Sequence, residues 1–395
     1  MAASPNQLSA SDALRVAGDL AKRLATTAVA RDRAGGHAAE ERAWIRESGL
    51  LSLSIPAEFG GSGASWQTVY AVIRILAQAD SALAHVFGFH YLQLASLTLY
   101  GTPDQERSLM TETVRSRLFW GNALNPLDRR TVATPHRNGF TLDGIKSFSS
   151  GSVGADWLTV SGWDTAAGAA VIGVLPATAT GVKVQADWDA FGQRQTDSGN
   201  VLFDAVHLPR ELVLQMPGQP ATPRTTLRTQ VAQLIMTNLY LGIAQGAFDA
   251  ARTYTREQSR AWPASGVNQA TADPLIQHRY GQLWLMLRPA ELACEHAATL
   301  LERAYRRGSA LTEQERGEVA VAGAEAKVLA HRAGIDISTQ MFELTGARAT
   351  SAMLGYDRFW RNARVHTLND PIDYKIRDLG RYALDGTLPE PTPYS

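Results

Sequence analysis

Apolar residues recur three and four positions apart along most of the first 125 residues. The stretch VYAVIRILAQADSALAHVFGFHYLQLASLTLYG (69–101) keeps this spacing throughout, and that is the period of one face of an α-helix. Two short breaks that carry glycine and proline, 55–66 and 101–106, divide the helical pattern. We therefore predict an N-terminal helical domain over residues 1–125.

The pattern changes after this helical part, where short segments rich in β-branched residues replace the helical period. Asn138-Gly139 and Asp143-Gly144 lie between such segments, and both pairs are typical of tight turns that join neighbouring strands. We predict a small antiparallel β-domain over residues 126–222.

A helical period returns in three longer pieces, at 227–259, 273–307 and 312–345. Each piece is long enough for a helix of a bundle, so we predict a C-terminal helical bundle over 223–395, with a tail that is either frayed or draped over a partner. The fold class is then mainly α with a middle β-domain. In such an arrangement, a large ligand is expected in a cleft between domains.

The composition removes several classes of function. Lys+Arg and Asp+Glu both number 38, so no basic surplus favours nucleic acid or an anionic membrane. The single cysteine, Cys294, cannot form an internal disulfide or a thiolate metal cluster. The sequence has neither the uncharged core of a signal peptide nor an apolar run of about 18 residues. We expect a cytoplasmic protein that binds no membrane and no nucleic acid.

The glycine-rich stretch FGGSGASW (59–66) does not fit a nucleotide-binding loop. Gly61-x-Gly63 is followed by Trp66 where a dinucleotide fingerprint needs a third glycine, and the stretch lies between helices rather than after a strand. The sequence also lacks HExxH, paired CxxC and GxSxG motifs. It therefore indicates no nicotinamide site, no metal site and no nucleophile elbow.

Several polar and aromatic residues near the domain seams have two interpretations. Ser150, in SFSSGSVG, can bond the edge of a heteroaromatic ring or satisfy the backbone of a turn. His90, on an apolar helical stretch, is either a hydrogen-bonded core residue or a ligand contact. Trp120 is either a core residue or a stacking platform. Residue chemistry alone leaves these alternatives open.

Longer phrases resemble the acyl-CoA dehydrogenase fold family along nearly the whole chain. The stretches 47–66, 187–209 and 340–349 are similar to its early helix–turn signature, the exit of its β-domain and its glutamine–phenylalanine turn. Within the family, TTAVARDRAGG (26–36) and YDRFWRNARVH (356–366) resemble flavin-dependent monooxygenases, above all those that oxidise dibenzothiophene in desulfurisation. The resemblance implies an N-terminal helical domain, an antiparallel β-domain and a C-terminal four-helix bundle. It further implies a flavin between sheet and bundle, and commonly a homotetramer.

The resemblance also implies roles for the residues that match its motifs. Four are expected at the reaction centre: His90, Asn122, Ser150 and His366. Seven are expected to contact the cofactor: Trp120, Asn122, Ser150, Trp188, Arg279, Arg348 and Asn369. Ser150 takes the position of a dehydrogenase threonine that bonds flavin N5, and the two arginines are candidates for the flavin phosphate.

Two departures from the family bear on the chemistry. Asn369 stands where the similar monooxygenases have a second histidine, and an amide cannot titrate. Glu343 and Leu344 replace a pair of glycines that the dehydrogenases carry. Their bulk would crowd the adenosine half of FAD, so the resemblance favours FMN, with FAD as the second choice.

Asp370 falls where many dehydrogenases carry their catalytic glutamate. Its side chain is one methylene shorter, so its carboxylate ends roughly 1.5 Å short, and a misplacement of that size costs about 100-fold in rate. Pro371 also holds Asp370 in extended geometry. We expect Asp370 to be structural, as a cap or as the partner of an arginine. An FAD-dependent acyl-CoA dehydrogenase with Asp370 as base is the alternative.

The expected activity is that of a reduced-FMN-dependent monooxygenase that inserts oxygen from O2 through a C4a-hydroperoxide of the flavin. An apolar organosulfur compound is the expected substrate, with an amine nitrogen or an aromatic carbon as the other oxidisable centres. Because the chain lacks a nicotinamide motif, reduced flavin would come from a separate NAD(P)H:flavin reductase.

Overall fold

The computed structural model describes residues 7–395. Its first part is helical, with α1 (Ala10–Ala34), α2 (Ala39–Glu47), α3 (Trp66–Ala79), α4 (Ser81–Tyr100) and α5 (Pro103–Ser116). Helix α4 carries almost no charge and is buried on nearly every side, as a helix that is apolar all round must be. Asp80 begins it by accepting hydrogen bonds from the amides of Ala82 and Leu83.

An eight-stranded sheet follows the first helices. Its strands are β1 (Trp120–Ala123), β2 (Val132–His136), β3 (Gly139–Lys146), β4 (Trp157–Asp164), β5 (Ala169–Pro176), β6 (Val182–Val184), β7 (Val201–Pro209) and β8 (Val213–Gln215). The order is β6-β7-β3-β2-β4-β5-β8, with β1 beside β4. The change from helix to strand falls between Ser116 and Trp120, so β1 precedes residue 126.

The sheet is mixed, which corrects the prediction of a purely antiparallel one. Strand β1 runs parallel to β4 from Trp120↔Trp157 to Ala123↔Val160, and Val132 of β2 pairs in parallel with Trp163. The reason is connectivity: β1 enters from α5 rather than from a hairpin, and only a hairpin forces an antiparallel neighbour. All the remaining strand pairs are antiparallel.

The last part of the chain is helical again, with α6 (Pro223–Glu257), α7 (Pro274–Arg307), α8 (Glu313–Thr345), α9 (Asp357–Thr367) and α10 (Ile372–Asp385). Capping boxes at Thr222 and Thr312 begin α6 and α8. The segment after α10, predicted to be frayed or draped over a partner, is held to its own chain at Pro389 and Ser395, which are buried, while residues 390–394 are exposed. Within residues 7–395 no helix combines the length and apolarity needed to cross a bilayer.

One large apolar core runs through both helical parts, because α6 packs against α3 and α4 as well as against α7 and α8. The sheet has a smaller core of its own, built from residues such as Leu142, Val160 and Val206. The sheet and the bundle therefore meet along a seam. The turn 147–152, the loop 185–200 and α9 lie at this seam.

Candidate functional site

Asn122 and Ser150 are neighbours at the sheet side of the seam. The backbone N–H of Asn122 on β1 donates to the carbonyl of Ser150, with 2.9 Å between nitrogen and oxygen. The Ser150 hydroxyl lies 2.9 Å from the Ser198 hydroxyl, which in turn donates to Thr196 Oγ1 at 2.8 Å. The side chains of Asn122 and Ser150 are nearly buried, at 9% and 6% exposed. The two predicted residues are therefore direct neighbours in one buried polar cluster.

The loop that contains Thr196 reaches the bundle through Gln193. The Gln193 side-chain nitrogen lies 3.3 Å from the carbonyl of Asn362 and 3.2 Å from His366 Nδ1. Because a carbonyl only accepts, the nitrogen that faces it must be the donating NH2 group, and His366 Nδ1 must accept. The His366 proton is therefore on Nε2, free to donate to a ligand. Gln193 adopts φ 53°, a left-handed conformation that a side chain rarely takes.

His85 on α4 completes this cluster, although the sequence analysis did not select it. Its ring centroid lies 4.6 Å from that of His366 and 4.1 Å from that of Phe89. Both of its ring nitrogens are buried without a hydrogen-bond partner among residues 7–395. Burial holds the pKa of His85 well below its usual value, and desolvation lowers the pKa of His366 to about 3. Both imidazoles are therefore neutral near pH 7.

His90 lies apart from this pair. Its Nε2 lies 2.8 Å from the carbonyl of Leu51, and its Nδ1 accepts the amide of Trp120 at 3.2 Å. Both nitrogens are thus occupied by backbone groups. Desolvation lowers the pKa of His90 to about 4. These contacts explain His90 as a packing residue that ties α4 to β1.

Trp120 is also a core residue. Its side chain has no exposed surface, its indole N–H donates to Thr113 Oγ1 at 2.9 Å, and its ring stacks on Trp157 at 5.5 Å. A fully buried ring cannot offer a face to a cofactor. We therefore leave Trp120 out of the proposed site.

Two aromatic residues lie at the outer edge of the seam. Trp188, a predicted contact, donates its indole N–H to the carbonyl of Gln193 at 2.9 Å. Phe148, which the sequence analysis did not select, lies 6.0 Å from it in an edge-to-face pair. Phe148 has φ 56° and is 70% exposed. A strained, exposed aromatic next to Ser150 is typical of a ligand-contacting residue.

Arg279 and Arg348 lie elsewhere in the molecule. Arg279 pairs with Glu343 near the end of α8, and Arg348 donates to the carbonyl of Gln258 at 2.8 Å. Glu343 is about 24 Å further along α8 than Lys327, which contacts the α9–α10 loop. Within one copy of the chain the two arginines are therefore remote from His366. Their predicted contact with the flavin phosphate stays a prediction.

Asn369 and Asp370 occupy the loop between α9 and α10. Asn369 is exposed and lines a cavity of about 450 Å³ that also has Asp370 and Tyr374 in its wall. Asp370 is 6% exposed, and its carboxylate accepts from Lys327 Nζ at 2.6 Å. Two expectations are corrected here: the partner is a lysine rather than an arginine, and Asp370 caps no helix, because α10 begins without a side-chain cap.

Models of two protein families match the chain. The acyl-CoA dehydrogenase N-terminal domain matches residues 14–117, and the acyl-CoA dehydrogenase C-terminal domain matches residues 234–371. A probable FMNH2-dependent monooxygenase, SfnC of Pseudomonas putida, is 47% identical over 97% of each chain. The chain belongs to the acyl-CoA dehydrogenase family. The family and fold predicted from the sequence are thereby confirmed.

Other members of the acyl-CoA dehydrogenase family with high similarity are also named as monooxygenases. Dibenzothiophene monooxygenase of Rhodococcus qingshengii is 42% identical over 98% of this chain and 96% of its own. The structure of methanesulfinate monooxygenase MsuC from Pseudomonas fluorescens superposes with a TM-score of 0.95 at 45% identity, covering 97% of this chain and 99% of that one. The chain therefore lies in the flavin-dependent monooxygenase branch of the family.

The residues at the seam suit a flavin in their chemistry. Phe148 and Trp188 present aromatic surface, and the Ser150 hydroxyl lies two residues along the chain from Phe148. The buried, unpartnered nitrogens of His85 supply groups that a ligand would satisfy. The seam thus carries aromatic rings, hydroxyl groups and neutral imidazoles, which are the kinds of group that a heteroaromatic ring would contact.

Proposed function

We propose that this chain is the oxygenase component of a two-component monooxygenase, which binds reduced FMN and oxidises the sulfur of an apolar organosulfur compound. The observation that carries the proposal is the neutral pair His85 and His366, which a chain of contacts through Gln193, Thr196 and Ser198 joins to Ser150. Among residues 7–395 no carboxylate hydrogen-bonds to either imidazole. The site therefore offers a donor for oxygen chemistry but no carboxylate base for removing a proton from carbon.

Reduced FMN, when bound, supplies the activated oxygen. The chain's own residues hold the reactants and exclude water. Ser150 and Asn122 would hold the polar edge of the ring, Phe148 and Trp188 would pack on it, and His366 would donate from Nε2 to an oxygen atom of the bound reactants. Phe89 and the neutral His85 provide an uncharged wall, which suits a neutral substrate rather than an anion.

The alternative, an FAD-dependent acyl-CoA dehydrogenase, meets two obstacles. Its base would be Asp370, whose carboxylate is already held by Lys327 and by Gln233 at 3.0 Å. The carboxylate is thus committed to a buried ion pair, and taking up a proton would leave the lysine unpaired. The bulky Glu343 and Leu344 would in addition crowd the adenosine half of FAD.

Two partners belong to the proposal. A separate NAD(P)H:flavin reductase supplies reduced FMN by diffusion. Further copies of this chain supply Arg279 and Arg348, which are too remote from His366 within one copy to reach the phosphate of the same flavin. We therefore propose a homotetramer, with phosphate contacts that cross between subunits.

The decisive experiment uses reduced FMN, the purified chain and ¹⁸O2. A dialkyl sulfide, dibenzothiophene, an aromatic amine and a phenol are supplied separately, and the products are analysed by mass spectrometry. We expect labelled sulfoxide, and a loss of at least about tenfold in its formation for His366→Ala. If no substrate gains label while an acyl-CoA bleaches bound FAD under nitrogen, the dehydrogenase replaces this proposal. If the label appeared only in the amine or only in the phenol, the proposed substrate class would change from organosulfur compounds to amines or phenols.

A further inference from the structure

The loop between α9 and α10 is anchored at both ends. The Tyr240 hydroxyl donates to the carbonyl of His366 at 3.0 Å, and the amide of Asn369 donates to the same carbonyl at 3.0 Å. At the other end Lys327 Nζ donates to Asp370 Oδ2 at 2.6 Å. The positions of His366 and Asn369 thus depend on how firmly Asp370 is held.

The Asp370 carboxylate belongs to a closed ring of polar contacts. Gln233 Nε2 donates to Asp370 Oδ2 at 3.0 Å and to the carbonyl of Tyr394 at 3.1 Å. Lys375 Nζ donates to the same Tyr394 carbonyl and lies 4.0 Å from Asp370 Oδ2. A residue from the segment after α10 is therefore one member of the anchor of the α9–α10 loop.

That segment, residues 387–395, contacts buried residues of α8, and we name it the strap. Arg316, 2% exposed on α8, donates to the carbonyl of Pro389 at 3.4 Å and to the carbonyl of Ser395. Gly317 leaves room for Leu388, since a Cβ on Gly317 would lie 2.6 Å from a Leu388 methyl group. The strap therefore packs closely against α8.

The carbonyl oxygens of the strap serve as hydrogen-bond acceptors for buried cations. Three cations, Arg316, Lys327 and Lys375, are buried in this region, and two of them, Lys327 and Lys375, lie within 4.0 Å of the Asp370 carboxylate. A buried cation without a partner is costly, and hydrogen bonds to carbonyl oxygens offset part of that cost. Without the strap, Lys375 and Arg316 would lose these acceptors.

We propose that Gln233 and Lys375 are positioning residues, which use the Tyr394 carbonyl of the strap to hold Asp370 and thereby the loop that carries His366 and Asn369. Neither residue touches the reacting atoms. The link to turnover rests on the proposed function, whereas the positioning itself can be measured on the flavin-free chain.

The test compares Lys375→Met with Arg377→Met. Both residues are on α10, but Arg377 pairs at the surface with its neighbour Asp378, which makes it the matched control. Hydrogen exchange is followed by mass spectrometry on the flavin-free full chain, with the Asn369 amide as the reporter. A charged hydrogen bond contributes about 1.5–3 kcal/mol, so we expect exchange at 366–371 to become about tenfold to 100-fold faster in Lys375→Met. Arg377→Met should match the wild type, and Lys375→Arg should restore most of the protection.

Two outcomes would overturn the proposal. In the first, exchange in Lys375→Met rises in the strap but not at 366–371, which would make the strap a tail without influence on the loop. In the second, exchange rises equally in α6, α8 and the loop, which would indicate general destabilisation. Should Lys375→Met fail to fold, Gln233→Met, which keeps the side-chain volume, is judged by the same two criteria.

Turnover gives a second readout that does not depend on the folded fraction. With reduced FMN supplied, the yield of oxidised substrate per flavin consumed should fall several-fold in Lys375→Met and stay unchanged in Arg377→Met. If the wild type makes no product while the exchange result holds, the proposed function fails and the strap's positioning role stands.

Discussion

Burial lowers the pKa of four histidines in this protein. Desolvation lowers the pKa of His90 and of His331 to about 4, and that of His366 to about 3, while the pKa of His85 lies well below its usual range. An unfolded chain has these pKa values near 6.5. Below pH 6.5 the unfolded state therefore binds more protons than the folded state.

Stability should consequently fall as the pH drops from about 6.5 to about 4. Linkage gives up to about 1.4 kcal/mol per pH unit for each such histidine. His90 alone then removes about 2 kcal/mol from the free energy of unfolding at pH 5. Urea titrations at pH 7 and pH 5 measure this difference, and His90→Asn should reduce it. Equal free energies at the two pH values would contradict the lowered pKa values.

Ser150 and Ser147 provide a matched pair for testing the flavin edge. Ser150 faces the seam through Ser198, whereas the Ser147 hydroxyl donates to Asn200 at 2.6 Å. Loss of one neutral hydrogen bond costs about 0.5–1.5 kcal/mol. Ser150→Ala should therefore weaken reduced-FMN binding or slow oxygenation by up to about tenfold, measured by anaerobic titration and product yield. Ser147→Ala should do neither, and equal effects in both variants would remove Ser150 from the site.

At the scale of elements, the position of α9 against the loop 185–200 shapes the site. Gly192 lies so near α9 that a Cβ there would be 2.2 Å from the carbonyl of Arg361. The next residue, Gln193, holds Asn362 and His366. Close backbone approach at Gly192 is therefore what lets one amide side chain bridge sheet and bundle.

Gly192→Ala should push α9 away from the loop. Overpacking of this kind costs about 1–3 kcal/mol, and the Gln193–His366 contact should be lost with it. Gly380→Ala is the control, because a Cβ at that site on α10 meets nothing within 4 Å, and alanine should raise helix stability by roughly 0.5–1 kcal/mol. Thermal melts measure the stability of both variants, and product yield measures their activity. Unchanged stability in Gly192→Ala would show that the loop can move aside.

At the scale of the whole molecule, α7 exposes large apolar side chains to solvent. On one side of this helix, Leu285 is 73% exposed, and Trp284 and Leu292 are 50% and 51% exposed. A row of apolar residues along one helix is typical of an interface between proteins. The face fits the proposed homotetramer, in which other copies would cover it.

Leu285→Glu should therefore weaken self-association. A carboxylate buried at such an interface lacks a partner and costs several kcal/mol. Light scattering over a concentration series should give a tetramer for the wild type and smaller species for Leu285→Glu. Leu127→Glu, at a side chain 55% exposed beside the sheet, should keep the wild-type mass. A monomeric wild type at micromolar concentration would contradict the tetramer.

The sequence by itself determined the elements and their family. Periodicity predicted three long bundle helices at 227–259, 273–307 and 312–345, and the structure has them within four residues at each boundary. Motif likeness predicted the family, and the seam that carries Ser150, Asn122 and His366 follows from the order of the three parts. These features depend on local pattern, which a sequence displays directly.

Only the tertiary structure decided which side chains meet. Helix α4 is apolar on every side, so its pattern does not reveal that His85 faces His366 while His90 faces the backbone of Leu51. Likewise, Asp370 forms an ion pair with Lys327 rather than with an arginine of α9, because α8 passes beside the loop. Such contacts join residues far apart in the chain and form only when helices pack, and hydrophobic spacing carries no information about which polar groups then become neighbours.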